Sequence, residues 1–277
     1  MFHFAASLRL EAPLKEGLEM NTKGTLRVLD VAKKMKNLVA FVHLSTAFCY
    51  PDYERMAEKV HDPPANPHDV LRAASWLSEE QLNVLAPSMM QKHPNSYTYS
   101  KRLAEALVKE SYPQIPAVVV RPSIVTPSYK EPTPGWVDNL NGPIGLMIGA
   151  GKGVIRTMHC YGYYHAEVIP VDIAINAIIL IPFYINTKIE SMVRIQNRIS
   201  VGLEVLQYFT TREWWFDTHN FKALATKLNH TDFATFPMNL AIIEVGPYIE
   251  SCMIGGKLYC LKEKLENLPK ARLQNNM

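Results

Sequence analysis

The chain has 277 residues, enough for one to two domains at roughly 150 residues each. Its 48% hydrophobic and 20% charged content supplies a sizeable core and excludes a disordered chain. A net charge of +3 gives no reason to expect nucleic acid as a partner. The opening Met1-Phe2-His3-Phe4-Ala5-Ala6 lacks the charged n-region and long apolar stretch of a targeting peptide, and it reads as the end of a buried strand.

Leu14 to Met35 is predicted to be helical, with Leu26, Leu29, Ala32 and Met35 on one face and lysines on the other. Leu38 to Leu44 is a short apolar run suited to a strand buried on both sides. A polar, proline-bearing stretch from Tyr50 to Asp69 leads into a helical pattern over 69–86. Tyr97 to Tyr112 is the next helix, with Leu103, Ala104, Leu107 and Val108 facing inward. Ala117 to Val120 is a strand stopped by Pro122. Strands alternating with helices imply parallel β/α units. Residues 123–165 read as loops, and the apolar run from Ala166 to Ile185 as a buried helix, since Glu167, Asp172 and two prolines argue against a membrane span.

Beyond Lys188 the pattern turns helical, with Met192, Ile195, Ile199, Leu203, Leu206 and Phe209 in register and no convincing strand. A boundary near Asn186 therefore divides an α/β domain, 1–186, from a small all-α domain, 187–277. Trp214-Trp215 is expected in a helix of its core.

Three stretches could carry chemistry. Tyr97 and Lys101 lie four apart, so both emerge on one helix face. An ammonium beside a phenol favours the phenolate and makes the phenol a usable proton donor. The pattern also arises at the start of ordinary amphipathic helices, and Tyr99 and Ser100 read as packing and surface residues. Ser45-Thr46 follows the strand ending at Leu44, and ligands bind outside the carboxyl ends of strands in an open parallel sheet. Capping or turn formation is the commoner fate of such a pair. Gly149-Ala150-Gly151-Lys152-Gly153 invites a phosphate-loop reading, but Leu146 and Gly153 stand where glycine and Ser/Thr are required. A flexible loop on the substrate side is the better reading. His3 and His43 read as satisfied core groups. The four cysteines, Cys49, Cys160, Cys252 and Cys260, show no metal-ligand spacing and fit a reducing compartment. No metal is expected.

The ordered set of motifs resembles the fatty acyl-CoA reductases, a branch of the extended short-chain dehydrogenase/reductase superfamily. It comprises Phe2 to Ala6, Glu11 to Lys15, Asn21 to Thr25, His43 to Phe48, Tyr97 to Lys101, Arg121 to Val125, Gly135 to Asn139, Pro170 to Asp172, Leu206 to Trp214, Tyr248-Ile249, Gly255 and Tyr259 to Glu263. Y-x-x-x-K marks only the superfamily, whereas P-G-W-V-D-N and F-T-T-R-E-W are far more specific.

The resemblance implies a partial Rossmann-like, doubly wound parallel sheet followed by a helical domain. It also implies NADPH-dependent reduction of a long-chain acyl-CoA to a fatty alcohol through an aldehyde. Under it Thr46 bonds the substrate carbonyl, with Ser45 beside it as the other hydroxyl, and Tyr97 supplies the proton. Lys101 lowers the Tyr97 pKa and binds the nicotinamide ribose, and the backbone of Pro122, Ser123 and Val125 lines the nicotinamide. It further implies an intracellular protein on the cytosolic face of peroxisomal or endoplasmic reticulum membranes, with a membrane-surface association and a homo-oligomer as possible partners.

Against the family pattern the sequence looks N-terminally truncated and, near Asn186, internally shortened. The first β-α-β unit, its glycine-rich pyrophosphate loop and the residues that read the 2′-phosphate have no counterpart. That fits a glycine content of about 5%, below the usual 7% or so. The chain is accordingly expected to bind NADPH negligibly and to yield no detectable alcohol. The alternative is a non-enzymatic remnant that binds lipid, membrane or a full-length partner.

Overall fold

The computed structural model describes residues 1–187, 213–226 and 240–263, together with Leu228, Asp232 and Phe236. The expected helical run from Met192 to Phe209, and most of the Leu206–Trp214 motif, lie outside the described residues.

The apolar runs form a parallel sheet in the order β1 (Phe2–His3), β2 (Phe41–Leu44), β4 (Ala117–Val120). Phe2 stands opposite Val42, and Phe41 opposite Ala117. β-Branched side chains fill both faces, as a doubly covered sheet requires. On one face, Phe41, Ala117 and Val119 pack against Leu29 and Ala32 of α2 (Gly24–Ala32) and Leu107 and Val108 of α5 (Ser96–Glu110). On the other, Val42, Val118 and Val120 pack against Ile173, Ala177, Ile178 and Ile181 of α7 (Val171–Thr187). The result is a three-layer α/β/α arrangement. Among the described residues β1 is bonded to β2 alone, and Phe2 within it and Phe4 just past it are 49% and 41% exposed.

The first helical stretch runs through α1 (Leu14–Gly17), a π-helical segment (Leu18–Lys23) and α2. It ends at Ala32, so Met35 lies past the helix and is exposed rather than on its buried face.

The single helix expected over 69–86 is two, α3 (Pro67–Trp76) and α4 (Glu79–Met90). Ser78 starts the second with a capping box: its hydroxyl accepts from Gln81 N while the Gln81 side chain accepts from Ser78 N. Two donors satisfied locally outweigh continuity of the apolar pattern.

Residues 123–165 are less loop-rich than expected. Besides β5 (Ile124–Thr126), they hold α6 (Pro143–Gly151), which opens with proline in its first turn. Its glycines suggest a loop, yet Ile144 and Ile148 are buried against Tyr248 and Cys252 of the C-terminal helix α9 (Val245–Gly255), and that packing holds the helix. Gly149 to Gly151 are therefore the last turn of a helix.

The Ala166–Ile185 run begins as a strand, β6 (Val168–Pro170), paired in parallel with β5, before α7 starts. Asp172, in the first turn of α7, accepts from the backbone N of Tyr129, Lys130 and Glu131 at 2.8–3.1 Å and fixes the chain leaving β5.

Among the described residues, the C-terminal third departs from the expected all-helical pattern at a short strand. β7 (Trp215–Phe216) pairs in parallel with β3 (Arg55–Met56), and Asp217 accepts from Arg55 beside it. Trp214 is buried against Phe48 as a core residue, but Trp215 is 52% exposed. A short helix, α8 (His219–Ala225), follows.

Two family-like motifs meet as bare backbone. A Cβ on Gly135, which has φ +77°, would lie 2.0 Å from the Ser251 carbonyl oxygen, and one on Gly255 would lie 1.6 Å from the Gly135 carbonyl oxygen. Only glycine lets the 135–139 loop lie against α9.

Candidate active site

Asn95 starts α5 by accepting from Thr98 N at 2.9 Å. Tyr97, Lys101 and Glu105 then follow at intervals of four along one helix face. The helix is buried almost all round, so Ser100 is an interior residue and not a surface one. Its hydroxyl accepts from the Asn21 side chain at 3.0 Å, and its carbonyl accepts from Thr22 Oγ1 at 2.9 Å.

Lys101 is 3% exposed, and its Nζ donates to the Leu44 carbonyl at 2.8 Å. An ammonium on the helix thus meets the carboxyl end of β2, immediately before Ser45 and Thr46. Burial lowers its pKa to about 8, opposed by the nearby Cys49 and Glu105.

Glu105 is wholly buried and clamps the helix to the end of β4. Arg121 Nε donates to Glu105 Oε1 at 2.6 Å and Arg121 Nη2 to Glu105 Oε2, a bidentate pair. Burial works to raise the Glu105 pKa, but the Arg121 charge and the hydrogen bonds from Arg121, Ser45 and Tyr50 prevail and hold it below the ordinary value. The Tyr50 hydroxyl donates to Glu105 Oε2 at 2.6 Å, and the Arg102 and Arg121 guanidiniums each sit 4.7 Å from the Tyr50 ring. Cys49 Sγ lies 2.9 Å from the Thr46 carbonyl and 3.3 Å from Glu105 Oε1. Burial pushes its pKa upward, so the thiol stays protonated. This network fixes the turn after β2, the Tyr97–Lys101 face of α5 and the end of β4 against one another.

Within that frame the two hydroxyls differ. Ser45 N continues the sheet to Val120 O, and Ser45 Oγ turns toward Cys49 Sγ at 3.8 Å. Thr46 Oγ1 accepts from Phe48 N at 3.3 Å and caps the turn Ala47–Cys49, the capping role open to it from the sequence. Ala47 N reaches the Pro122 carbonyl at 3.4 Å, which brings the Thr46 turn to the Pro122-Ser123 segment. Ser123 is buried. Val125 lies within β5, opposite Ile169, with its side chain against the core.

His3 donates or accepts at Thr25 Oγ1, 3.1 Å away, and burial lowers its pKa to about 4. His43 is not the satisfied group expected: both ring nitrogens are buried without a hydrogen-bond partner, and burial together with Lys101 keeps the ring neutral.

A cavity of about 660 Å³ opens beside these strand ends. Phe48, Ile124, Met147 and Tyr161 line it, together with Ile243 and Tyr248 from the C-terminal segment. Phe48 N is the donor to Thr46, and Ile124 follows Ser123, so the cavity lies next to the Thr46 turn and the Ser123 segment; Thr46, Tyr97 and Lys101 do not line it. The Tyr248 hydroxyl bonds the Pro127 carbonyl at 2.6 Å and the Thr126 hydroxyl, joining α9 to the sheet end. The apolar cavity was not foreseen from the sequence. Its one local signal was the apolar run Pro143 to Ala150.

The donor set, a phenol, an ammonium and hydroxyls at the carboxyl edge of a parallel sheet, fits the nicotinamide–ribose end of a dinucleotide. Among the described residues the turns leaving β1, β2 and β4 carry Phe4-Ala5-Ala6, Ser45-Thr46 and Arg121-Pro122-Ser123, none with glycine.

Two family profiles, both described as male sterility protein, match residues 1–178 and 174–263, the first of them an NAD-binding domain. Fatty acyl-CoA reductase 1 of Gallus gallus is 27% identical over 354 aligned positions, covering 100% of this chain and 69% of the relative. Fatty acyl-CoA reductase 2 of Mus musculus is 29% identical over 350 positions, covering 98% and 68%. Those alignments are longer than the 277-residue chain, so the relatives carry internal segments with no counterpart here. Among solved structures, the UDP-glucuronic acid 4-epimerase from Bacillus cereus, in complex with NAD, superposes with a TM-score of 0.54 at 15% identity over 93% of this chain and 74% of that one. At that identity the likeness shows the fold alone, a Rossmann-like α/β architecture.

Proposed function

The chain belongs to the male sterility protein family and is an oxidoreductase of the fatty acyl-CoA reductase type, and from that membership we propose that it reduces long-chain acyl-CoA to fatty alcohol through an aldehyde, with NADPH as the reductant. The observation that carries this reading is the apolar cavity of about 660 Å³ lined by Phe48, of the turn that begins at Thr46, and by Ile124, which follows Ser123. Its volume lies within the range of small-molecule sites, and its lining suits an acyl chain.

The chain's own residues then hold and protonate the reacting carbonyl. Thr46 donates its hydroxyl hydrogen to the carbonyl oxygen while its Oγ1 keeps the bond from Phe48 N. Tyr97 gives a proton to that oxygen as negative charge develops on it. The Lys101 ammonium stabilises the charge left on the Tyr97 oxygen and bonds the ribose hydroxyls, and the Leu44 carbonyl holds it in place. The backbone of Pro122, Ser123 and Val125 lines the nicotinamide. When bound, a first NADPH would supply hydride to the thioester carbon, after which the C–S bond breaks, CoA leaves as its thiol with the proton on sulfur, and the aldehyde remains; a second NADPH, taken up after release of the oxidised one, would supply the hydride that makes the alcohol. Phe48 and Trp214 keep water from the reacting carbon.

We place the domain boundary near Asn186 and the protein on the cytosolic face of a peroxisomal or endoplasmic reticulum membrane. Among the described residues no helix is long and apolar enough to cross a membrane. The exposed Val154 and Tyr163 support association with a membrane surface instead.

The test is product analysis: hexadecanoyl-CoA with NADPH, and separately with NADH, followed by gas chromatography. Hexadecanol formed with NADPH and trapped hexadecanal support the reading. Hexadecanoyl-CoA left unreduced with both cofactors overturns it, and preference for NADH overturns the cofactor assignment.

A further inference from the structure

A second cavity, of about 580 Å³, lies back to back with the apolar one, and Tyr164 and Trp214 belong to the walls of both. The turn that begins at Thr46 serves each in succession: Phe48 lines the apolar cavity, and Asp52 and Glu54 line the second. Lys92, Glu213 and Trp215 complete its polar rim. A long-chain acyl-CoA has the same two-part character, an apolar chain and a polar arm with the thioester at their junction.

We propose that the second cavity binds the pantetheine arm, the neutral amide chain between the thioester sulfur and the phosphates of the coenzyme. This rests on the reading that the apolar cavity holds the acyl chain.

The charges select the amide arm over the phosphates. Asp52 is already paired with Arg102 at 2.7 Å, which leaves Lys92 as the cation of the rim against the carboxylates of Glu54 and Glu213. Two carboxylates repel a phosphate, whereas they accept from amide N–H groups and Lys92 donates to amide carbonyls. The rim is also held in position. Glu213 Oε1 accepts from His165 N at 3.3 Å, and the His165 ring sits 5.0 Å from that of Trp215. Trp215 N donates to the Glu54 carbonyl at 3.3 Å. The half-exposed Trp215 therefore presents its ring to the cavity on a fixed backbone, a broad apolar surface for the methylene and dimethyl segments of the arm.

Calorimetric titration of the full chain with three non-reducible probes tests this: hexadecan-1-ol, S-hexadecyl-pantetheine and S-hexadecyl-CoA. The thioether pantetheine is expected to bind at least about tenfold more tightly than the alcohol, and the coenzyme form to bind within about threefold of the pantetheine. Trp215→Ala and, separately, Lys92→Ala should each weaken the pantetheine probe about tenfold and leave the alcohol within about twofold, as expected for loss of an anchoring contact. Lys92 is an exposed residue, so its variant keeps the test valid if Trp215→Ala does not fold. Equal affinity for alcohol and pantetheine probe in the unmodified chain overturns the proposal, as does equal weakening of both probes, or of neither, in the variants. A coenzyme probe that binds far more tightly than the pantetheine overturns the exclusion of phosphate. Failure of hexadecanol to bind the unmodified chain counts against the acyl-chain reading itself.

Discussion

The two ends of the site are built from opposite materials. Around α5 the interior is polar and multiply tied: Lys101 to Leu44, Glu105 to Arg121, Tyr50 and Cys49, and Ala47 to Pro122. Past Phe48 the cavity is lined mostly by aliphatic and aromatic groups, and the Tyr248 hydroxyl fastens its wall to the Pro127 carbonyl. Chemistry needs atoms held to fractions of an ångström, and buried charge pairs hold them. A flexible acyl chain needs only volume and dryness, which apolar packing supplies. On the proposed reading, the reaction belongs to the first end and substrate retention to the second.

The largest expected effects lie at the polar end. Tyr97→Phe keeps the buried ring and removes the hydroxyl, and turnover should fall about 10²–10⁴-fold. Lys101→Met should fall comparably and also bind cofactor more weakly, as measured by initial rates at varied NADPH. If either variant keeps most of its turnover, the division of labour between the two ends is wrong.

Stability separates the ends next. Glu105→Gln strands the Arg121 guanidinium in the interior, a loss of about 3–5 kcal/mol by denaturant unfolding. Gly255→Ala forces a methyl group into the Gly135 carbonyl and should cost about 3 kcal/mol, the upper end for overpacking. Tyr248→Phe removes the fastening of the cavity wall and should cost about 1–2 kcal/mol, with little change in turnover. A large drop in kcat for Tyr248→Phe would show that the two ends are not separable.

The smallest effects are those of pH. Lys101 carries its charge below about pH 8 and loses it above, so kcat/KM should decline as pH rises through about 8. His3 has a pKa of about 4 in the folded chain against an ordinary 6.5, so the unfolded chain binds more protons between those values. Stability should therefore fall as pH drops from about 6.5 to about 4, and His43 acts in the same direction. A thermal-melt series across that range checks the sign.

The fold was legible where local pattern and tertiary packing agree. Ala117 to Val120 is apolar on both faces and lies between helices. Tyr97 and Lys101 stand in the sequence at the spacing that puts them on one helix face. Legibility failed where a local feature was overruled. Ser78 split a continuous apolar pattern with a capping box, and burial of Ile144 and Ile148 turned a glycine-bearing stretch into a helix. It also failed where partners are distant in sequence. Nothing near Glu105 announces Arg121, and the short strand at Trp215 exists only because Arg55 lies beside it. The cavity is drawn from residues as far apart as Phe48, Ile124, Met147 and Tyr248, so no single segment reveals it.

The division between the two ends is tested most directly by kcat and KM for octanoyl-CoA and hexadecanoyl-CoA, measured side by side in Tyr97→Phe and in the cavity-filling Met147→Trp. Tyr97→Phe should lower kcat about equally for both chain lengths, and Met147→Trp should raise KM for the longer chain more than for the shorter one with kcat retained. A Tyr97→Phe enzyme with undiminished kcat, or a Met147→Trp enzyme that treats the two chains alike, would contradict it.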